Sequence, residues 1–281
     1  MKFELSTETR LFAESVRAAV GDWVPPREPE LGAWLDDRNT ALADRLASIG
    51  WSELWGSPAL LEPTVAGSVE LGRAATPVCL IDDTTLGGAL TLAGRARHGA
   101  GAPSLVIPGA GGVLTFAEAI STSVREPSLD GSGTLAVDWR VVRELGPSEA
   151  AARWHAWSVA SLGYLAGLSD RALELTVAHT RARVQFGAPL SALPAVQSRV
   201  ADAALAVDAL MLTAYEAASS GDPTLSRTSL LWAGPTCCAV TATAHQLHGA
   251  IGFALETGLH RYHRRAKAVH AWTDAVWREL R

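Results

Sequence analysis

The sequence predicts a mainly α-helical protein in which a small β segment separates two helical regions. Apolar residues recur every three or four positions in the first third of the chain and again, over longer stretches, from residue 148 onward, whereas residues 98–147 carry short apolar runs between Gly, Pro, Asp and Ser. The first pattern is typical of amphipathic helices and the second of strands. We therefore predict an N-terminal helical domain over residues 1–97, a reduced β segment over 98–147 and a C-terminal four-helix bundle over 148–281.

The N-terminal region begins with the clearest helix signal. Ser6 and Thr7 precede an apolar stripe with spacings of four, three and four residues, and Pro25 follows it, so the stripe predicts a capped helix that ends before the proline: Phe12, Val16, Ala19, Trp23. Three more helices are predicted at about Asn39 to Ile49, Val65 to Ala75 and Thr84 to Ala96, the last one weakened by its glycines.

The middle region contains the runs GAGAPSLVIPGAGGVLTF and LDGSGTLAVDWRVV, which predict a few strands joined by tight turns. Its length of roughly fifty residues indicates too little chain for a full barrel. The GAGG at Gly109 to Gly112 is interpreted as a plain turn, because it lacks the G-x-G-x-x-G spacing of a phosphate-binding loop and no helix follows it directly.

Four long helices are predicted from residue 148 onward. One carries apolar residues from Leu165 to Leu175 and ends near Arg183, and the next holds a 4-3-4-3-4 stripe from Val196 to Ala214. A third spans roughly Leu225 to Leu247, where Pro235 predicts a kink or a new start. The fourth runs from about Leu259 onward, and short connections between the four indicate a bundle.

Composition narrows the class of protein. The net charge of -5 argues against a general nucleic-acid partner. The three cysteines form no C-x-x-C pair, which favours a reducing compartment. The first residues lack the apolar stretch of a signal peptide, and no apolar run reaches the length of a membrane span, so we expect a cytoplasmic protein without a membrane partner.

Two glycine-rich helix ends carry the most specific residues. The segments are RVQFGAP from Arg183 and QLHGAIGF from Gln246, and LHRYHRRAK follows from Leu259. The chain resembles the acyl-CoA dehydrogenase family in these segments. It also resembles the family's first helical domain in three segments nearer the start, which occur in the family's order: FELSTETRLFAESVR, LASIGW and VELGRAATPV. The resemblance implies a helical domain, a β-domain and a four-helix bundle that enclose FAD, with each flavin held by two subunits.

This resemblance implies a role for seven residues in binding FAD. Arg183 would neutralise the pyrophosphate with its guanidinium fork, and Gln185 and Phe186 would lie near the adenosine half. The remaining residues would complete the nucleotide site: Gln197, Gln246, Gly249 and Gly252. A purely structural interpretation stays open, because an arginine near a helix C-terminus interacts favourably with the dipole and glycine is an ordinary C-terminal cap.

The sequence departs from the family at three places. Ala250 replaces the second glycine of the usual Gly-Gly pair, and the middle region is much shorter than the family's β-domain. The usual position of the catalytic glutamate falls on Thr273, and the alternative position falls near Trp157. Removing the α-proton of an acyl thioester needs a carboxylate, and the nearby Asp274 is displaced by one residue. We therefore assign no catalytic residue.

Two histidine pairs raise the question of a metal. His245 and His248 are three residues apart, as are His260 and His263, so each pair shares a helix face. No matching set of carboxylates accompanies them. We predict no metal site.

The sequence leaves three functions open. The first, which fits the retained Arg183 motif and the missing base, is a non-catalytic subunit that completes an FAD site with an acyl-CoA dehydrogenase homologue. The second is a stand-alone flavoenzyme that oxidises an acyl thioester with a displaced base. The third is a flavin-free protein that reuses the fold for binding or for non-redox chemistry. FAD is shared with a partner in the first case, held in a homo-oligomer in the second and absent in the third.

Overall fold

The computed structural model describes residues 4–21, 23, 40–97, 104–127, 129 and 133–281. The N-terminal region holds the helices α1 (Thr7–Gly21), α2 (Thr40–Ser48), α3 (Leu61–Arg73) and α4 (Cys79–Thr85). The five strands that follow are β1 (Ala89–Leu92), β2 (Arg95–Arg97), β3 (Ser104–Pro108), β4 (Leu114–Pro127) and β5 (Gly133–Glu144). The C-terminal region consists of α5 (Pro147–Ala182), a hairpin of β6 (Val184–Gln185) and β7 (Ala188–Pro189), α6 (Pro194–Ser220), α7 (Pro223–His248) and α8 (Leu259–Glu279).

The first helix begins as its sequence predicts. The Ser6 hydroxyl accepts a hydrogen bond from the Thr9 amide at 3.0 Å, which satisfies one of the free N–H groups of the first turn. The predicted stripe faces the core, with Val16 and Trp23 buried and Phe12 stacked on Trp51. Pro25, which we expected to follow the end of this helix, lies outside the described residues.

The middle region forms a closed barrel with the strand order β1-β2-β5-β4-β3, among the strands that the structure describes. Antiparallel pairs join four of its five seams, and a parallel pairing of β1 with β3 closes it. The expectation that this segment is too short for a barrel is therefore wrong. The two strands that complete the barrel come from residues before position 98.

The same two strands replace the helix predicted at Thr84 to Ala96, so that prediction is also wrong. Helix α4 ends at Thr85, and Gly87 follows with a φ of 88°. Ala93 and Gly94 both have positive φ angles, which makes the tight turn that joins β1 to β2. An alanine in this left-handed conformation gives no signal in the sequence, which explains the error.

The C-terminal helices pack as the predicted bundle, and α7 continues through Pro235 as one helix. The stripe on α6 is confirmed at its centre, where Ala203, Val207 and Leu210 are buried. Within the described residues, no helix is both long enough and apolar enough to cross a lipid bilayer.

Helix α3 packs against α5 through glycines that leave no room for side chains. A methyl group on Gly72 would overlap the Tyr164 carbonyl oxygen, and one on Gly167 would overlap that of Val69. Gly163 faces the Val65 carbonyl oxygen in the same way. The N-terminal helices and the bundle are therefore held in close backbone contact.

A buried ion pair joins α4 to the barrel and to α5. The Arg97 guanidinium donates to the Asp82 carboxylate at 2.8 Å, and the Trp157 indole N–H donates to the same carboxylate at 2.9 Å. Asp82 is fully buried, and Arg97 also lies over the Trp272 ring. These contacts give the buried carboxylate several partners in the low-dielectric core.

Candidate functional site

The candidate site lies where α5 ends and α7 ends. Arg183 has an extended backbone and terminates α5, and its N–H donates to the His179 carbonyl oxygen at 2.9 Å. The chain then turns through Phe186 and Gly187, whose φ angles are 54° and 79°. This tight turn between β6 and β7 projects the Phe186 ring into solvent, where it is 90% exposed.

Gly249 ends α7 in a backbone conformation that requires glycine. Its φ is 65° and its ψ is -146°, and no atom lies within 4 Å of the position that a Cβ would take. The residues from Gly249 to Phe253 then form a short 3₁₀ turn. The glycine thus leaves open space on the side of the chain where α7 meets the end of α5.

A cavity of about 510 Å³ lies between these two helix ends. Four of the seven residues predicted to bind a nucleotide line it: Arg183, Gln185, Gln246 and Gly249. Ala250 lines it as well, so the methyl group that replaces the family's second glycine is part of the cavity wall. The structure thus brings together the two motifs that lie more than sixty residues apart in the sequence.

The other three predicted residues lie elsewhere. Phe186 is exposed on the hairpin beside the cavity. Gln197 lines a separate cavity of about 270 Å³ and donates to the Ser191 carbonyl oxygen at 2.9 Å. Gly252 is buried, and a Cβ there would stand 2.8 Å from the Cβ of His248. Its glycine is thus explained by packing within the turn.

Two histidines that sequence reasoning did not select also line the cavity. His179 and His248 stack with their ring centroids 4.3 Å apart, and His248 Nδ1 donates to the Ala244 carbonyl oxygen at 2.8 Å. His179 stands in the last turn of α5, four residues before the capping residue Arg183. This i, i+4 spacing places both side chains on one face and is the signal that could have identified His179.

The electrostatic environment of the cavity favours an anion. Burial lowers the pKa of His179, and the nearby charges of His248 and Arg183 lower it further. Burial also lowers the pKa of the neighbouring His245, which stacks on Phe253. No Asp or Glu stands among the described residues of the cavity wall. A negatively charged group placed there would meet a guanidinium and two imidazoles without a competing carboxylate.

Both positions that the resemblance assigns to a catalytic base are closed. Thr273 is 1% exposed, and Trp157 is fully buried with its indole N–H held by Asp82. The neighbouring Asp274 points to His270 on its own helix, with 3.6 Å between the carboxylate oxygen and Nδ1. The bundle therefore has a cationic cavity at one end, whereas buried side chains occupy the expected positions of a catalytic base at the other end.

The histidine pairs can be placed as well. His245 and His263 meet edge to face with 5.3 Å between their centroids, and His263 Nδ1 lies 2.9 Å from the Thr241 hydroxyl. Across the described ranges, no group of three or more His, Cys, Asp or Glu side chains has the arrangement of a metal site.

Comparisons with known proteins agree with this arrangement. Residues 156–273 match the family model of the acyl-CoA dehydrogenase C-terminal domain. The chain is 34% identical over 100 residues to the acyl-CoA dehydrogenase IpdE2 of Mycobacterium tuberculosis, a match that covers 36% of this chain and 31% of that protein. It is 37% identical over 113 residues to the cyclohex-1-ene-1-carbonyl-CoA dehydrogenase of Geobacter metallireducens, covering 38% and 30%. The matches thus span about a third of the length of these curated relatives.

Solved structures share the fold over nearly the whole chain. A chain of the ChsE4-ChsE5 complex from Mycobacterium tuberculosis has a TM-score of 0.80 at 19% identity, with 99% of this chain and 96% of that chain covered. A chain of the Tcur3481-Tcur3483 steroid ACAD, in its G363A variant, has a TM-score of 0.79 at 20% identity, with 97% and 96% covered. Helical domain, barrel and bundle follow one another as in those proteins, and the matched bundle carries the motifs. Residues 156–273 are thus an acyl-CoA dehydrogenase C-terminal domain, in a chain that has the fold of these solved structures over nearly its whole length.

Proposed function

We propose that this chain is a non-catalytic subunit that pairs with an acyl-CoA dehydrogenase homologue and supplies part of the partner's FAD site. The single observation that carries the proposal is the contrast between the two ends of the bundle. The Arg183 cavity is open and cationic, whereas the base positions at Thr273 and Trp157 are buried. A chain with this contrast can bind a cofactor's phosphates without removing a proton from an acyl thioester.

The residues of the cavity fit the diphosphate half of FAD. Arg183 offers a fork of donors that matches phosphate oxygens, and Gln246 adds an amide beside it. Gly249 keeps the wall free of a side chain where the chain leaves α7. When bound, FAD would supply the hydride acceptor of acyl thioester oxidation, a reaction that we assign to the partner chain.

Exposed apolar side chains next to the cavity support a protein partner. Phe186 and Phe253 are 90% and 72% exposed, and Val184, Ile251 and Leu255 on the same two segments are more than half exposed. Large apolar groups clustered around a polar cavity are typical of a surface that another chain covers. A second subunit placed there would bury these side chains and enclose the ligand in the cavity.

The heteromeric relatives in the structural comparison favour a partner of the same family. ChsE4-ChsE5 is a complex of two such proteins, and this chain shares the fold of its subunit over nearly its full length. The fold alone does not distinguish a second copy from a homologue. The missing carboxylate does, because a homo-oligomer would hold no base at either of the expected positions.

A flavin-free role is the second candidate, and the filled core favours it. Trp157, Asp82 and Arg97 form a packed, hydrogen-bonded group where the family resemblance places a base. Ala250, which stands where the family has its second glycine, also lines the cavity. In this alternative the protein reuses the fold for binding, and no partner would cause it to retain FAD.

Co-purification separates these functions. The tagged chain is expressed alone and together with each acyl-CoA dehydrogenase homologue of its own genome, and flavin absorbance per subunit is measured after gel filtration. We expect little flavin in the chain alone and stoichiometric FAD in one complex. Stoichiometric FAD in the chain alone would contradict the subunit proposal, and flavin-free complexes with every homologue would favour the second candidate.

A further inference from the structure

A second cavity, at the opposite end of α5, has the features of a ligand site. It has a volume of about 360 Å³ and lies between the N-terminal parts of α5 and α7, the end of α8 and the turn before β4. His155 in its wall and His179 in the first cavity are 24 residues apart on one helix, which corresponds to about 36 Å. The two cavities are therefore separate sites.

The walls of this cavity combine aromatic rings with one cation. Trp154 and Trp277 contact each other with their centroids 5.9 Å apart, and the Arg227 guanidinium lies 4.7 Å from the centroid of Trp277. No carboxylate of the described residues forms an ion pair with Arg227. The arginine thus stands beside an apolar space with its charge unneutralised by the part of the chain that the structure describes.

Two buried polar atoms of the same wall lack hydrogen-bond partners among the described residues. They are Nε1 of Trp277, a residue only 5% exposed, and Nε2 of His155, a residue 8% exposed. A buried polar atom without a partner costs roughly 1–3 kcal/mol. Both atoms are closed to solvent, so a ligand in the cavity reaches them only when these two side chains shift.

Ser226 links His155 to the first turn of α7. Its hydroxyl lies 3.0 Å from the Pro223 carbonyl oxygen and 2.9 Å from His155 Nδ1, and its single hydrogen can be donated to either. Burial lowers the pKa of His155, and the charge of Asp222 at the start of α7 partly opposes that effect.

We propose that this cavity binds a small organic carboxylate with an apolar body. Arg227 and the Trp277 N–H hold the carboxylate, and the apolar body packs on Trp154. The His155 ring takes up one proton from solvent on binding, and its Nε2–H then donates to the anion. The charge of Asp222 favours protonation of His155, and the charge of Arg227 disfavours it. A bound anion therefore shifts the His155 ring to its protonated form.

Titration calorimetry with benzoate tests the proposal on the full chain, with benzamide as the neutral analogue. We expect saturable benzoate binding below about 10 mM, at least tenfold weaker binding of benzamide, and proton uptake when the titration is repeated in buffers of different ionisation enthalpy. Substituting Arg227→Met should weaken benzoate binding about tenfold, and Trp277→Phe, which keeps the ring and removes the N–H, about threefold.

The matched control is Arg199→Gln on α6, an exposed arginine that lines neither of these two cavities and should leave benzoate binding unchanged. Four results would overturn the proposal: no saturable benzoate binding, equal affinity for benzamide, wild-type affinity in folded Arg227→Met, or an equal loss in Arg199→Gln. Circular dichroism of each variant establishes that it is folded, and Arg227→Met is expected to fold because Arg227 is only half-buried.

Discussion

His179 on α5 and His248 at the end of α7 stack with 4.3 Å between their ring centroids, on the wall of the same cavity as Arg183. Burial and the charges of His248 and Arg183 lower the pKa of His179. An anion between the helix ends opposes this effect on His179. His179 therefore links proton binding to anion binding at the proposed nucleotide site.

Binding of ADP at this cavity should strengthen as the pH falls. The pKa of His179 lies below its ordinary value of 6.5, so the ring is neutral at pH 7, and a bound diphosphate favours the charged form. Binding then takes up protons, and affinity rises as the pH is lowered from 7.5 to 5.5. Equilibrium dialysis of ADP at several pH values measures this.

The control for that prediction is a histidine variant remote from the cavity. His179→Gln should flatten the pH dependence, whereas His270→Gln, on α8 beside Asp274, should keep it. An ADP affinity that is independent of pH in the wild-type protein would contradict the prediction.

Unfolding should become easier between pH 6.5 and pH 5. Burial lowers the pKa of His263 to about 4, and the pKa values of His155 and His245 are lowered in the same direction. The unfolded chain therefore binds these protons first, and stability falls as the pH drops below 6.5. The urea midpoint should decrease over this range, and a midpoint that rises towards pH 5 would show that the buried rings are not neutral.

The glycine contact between α3 and α5 should not tolerate a methyl group. Gly167→Ala would push the new Cβ against the Val69 carbonyl oxygen, and overpacking of this kind costs about 3 kcal/mol. Gly56→Ala is the matched control, because nothing lies within 4 Å of its Cβ position. Urea unfolding compares the two variants, and equal stabilities would refute the close helix contact.

The buried ion pair should be more sensitive than an exposed one. Asp82→Asn leaves the Arg97 charge uncompensated in the core and should destabilise the protein by about 4 kcal/mol. The exposed pair of Arg140 and Glu118 provides the comparison, and Glu118→Gln should change stability by less than about 1 kcal/mol. Similar losses in both variants would mean that the Asp82 environment is solvated.

Much of the helical structure follows from local sequence signals. The Ser6 cap and the stripe from Phe12 to Trp23 predict α1, and the long stripe that includes Val207 predicts α6, because apolar periodicity alone determines a helix face. The barrel could not be predicted as well. Its closure depends on the pairing of β1 with β3, which are not consecutive strands. It also depends on a turn in which Ala93 has a positive φ angle, a conformation that an alanine in the sequence does not predict.

The candidate site could also be predicted only in part. The motifs at Arg183 and Gln246 predict two helix ends, and the structure brings both to one cavity. The motifs do not show which way a side chain points. Gln197 therefore falls in a neighbouring cavity, and Gly252 packs against His248. The spacing of His179 from Arg183 was the one local signal for this residue, and its stacking on His248 joins two helices that are far apart in the sequence.

The flavin content of the complex with the partner subunit, compared between Arg183→Gln and Arg181→Gln, tests the central claim most directly. Arg181 is an exposed neighbour that matches Arg183 in charge and lies two residues before it. It lines the separate cavity of about 270 Å³ and not the Arg183 cavity. We predict that both variants assemble with the partner, that Arg183→Gln loses most of the FAD absorbance, and that Arg181→Gln retains it. Full FAD absorbance in the assembled Arg183→Gln complex would contradict the claim that this cavity holds the cofactor.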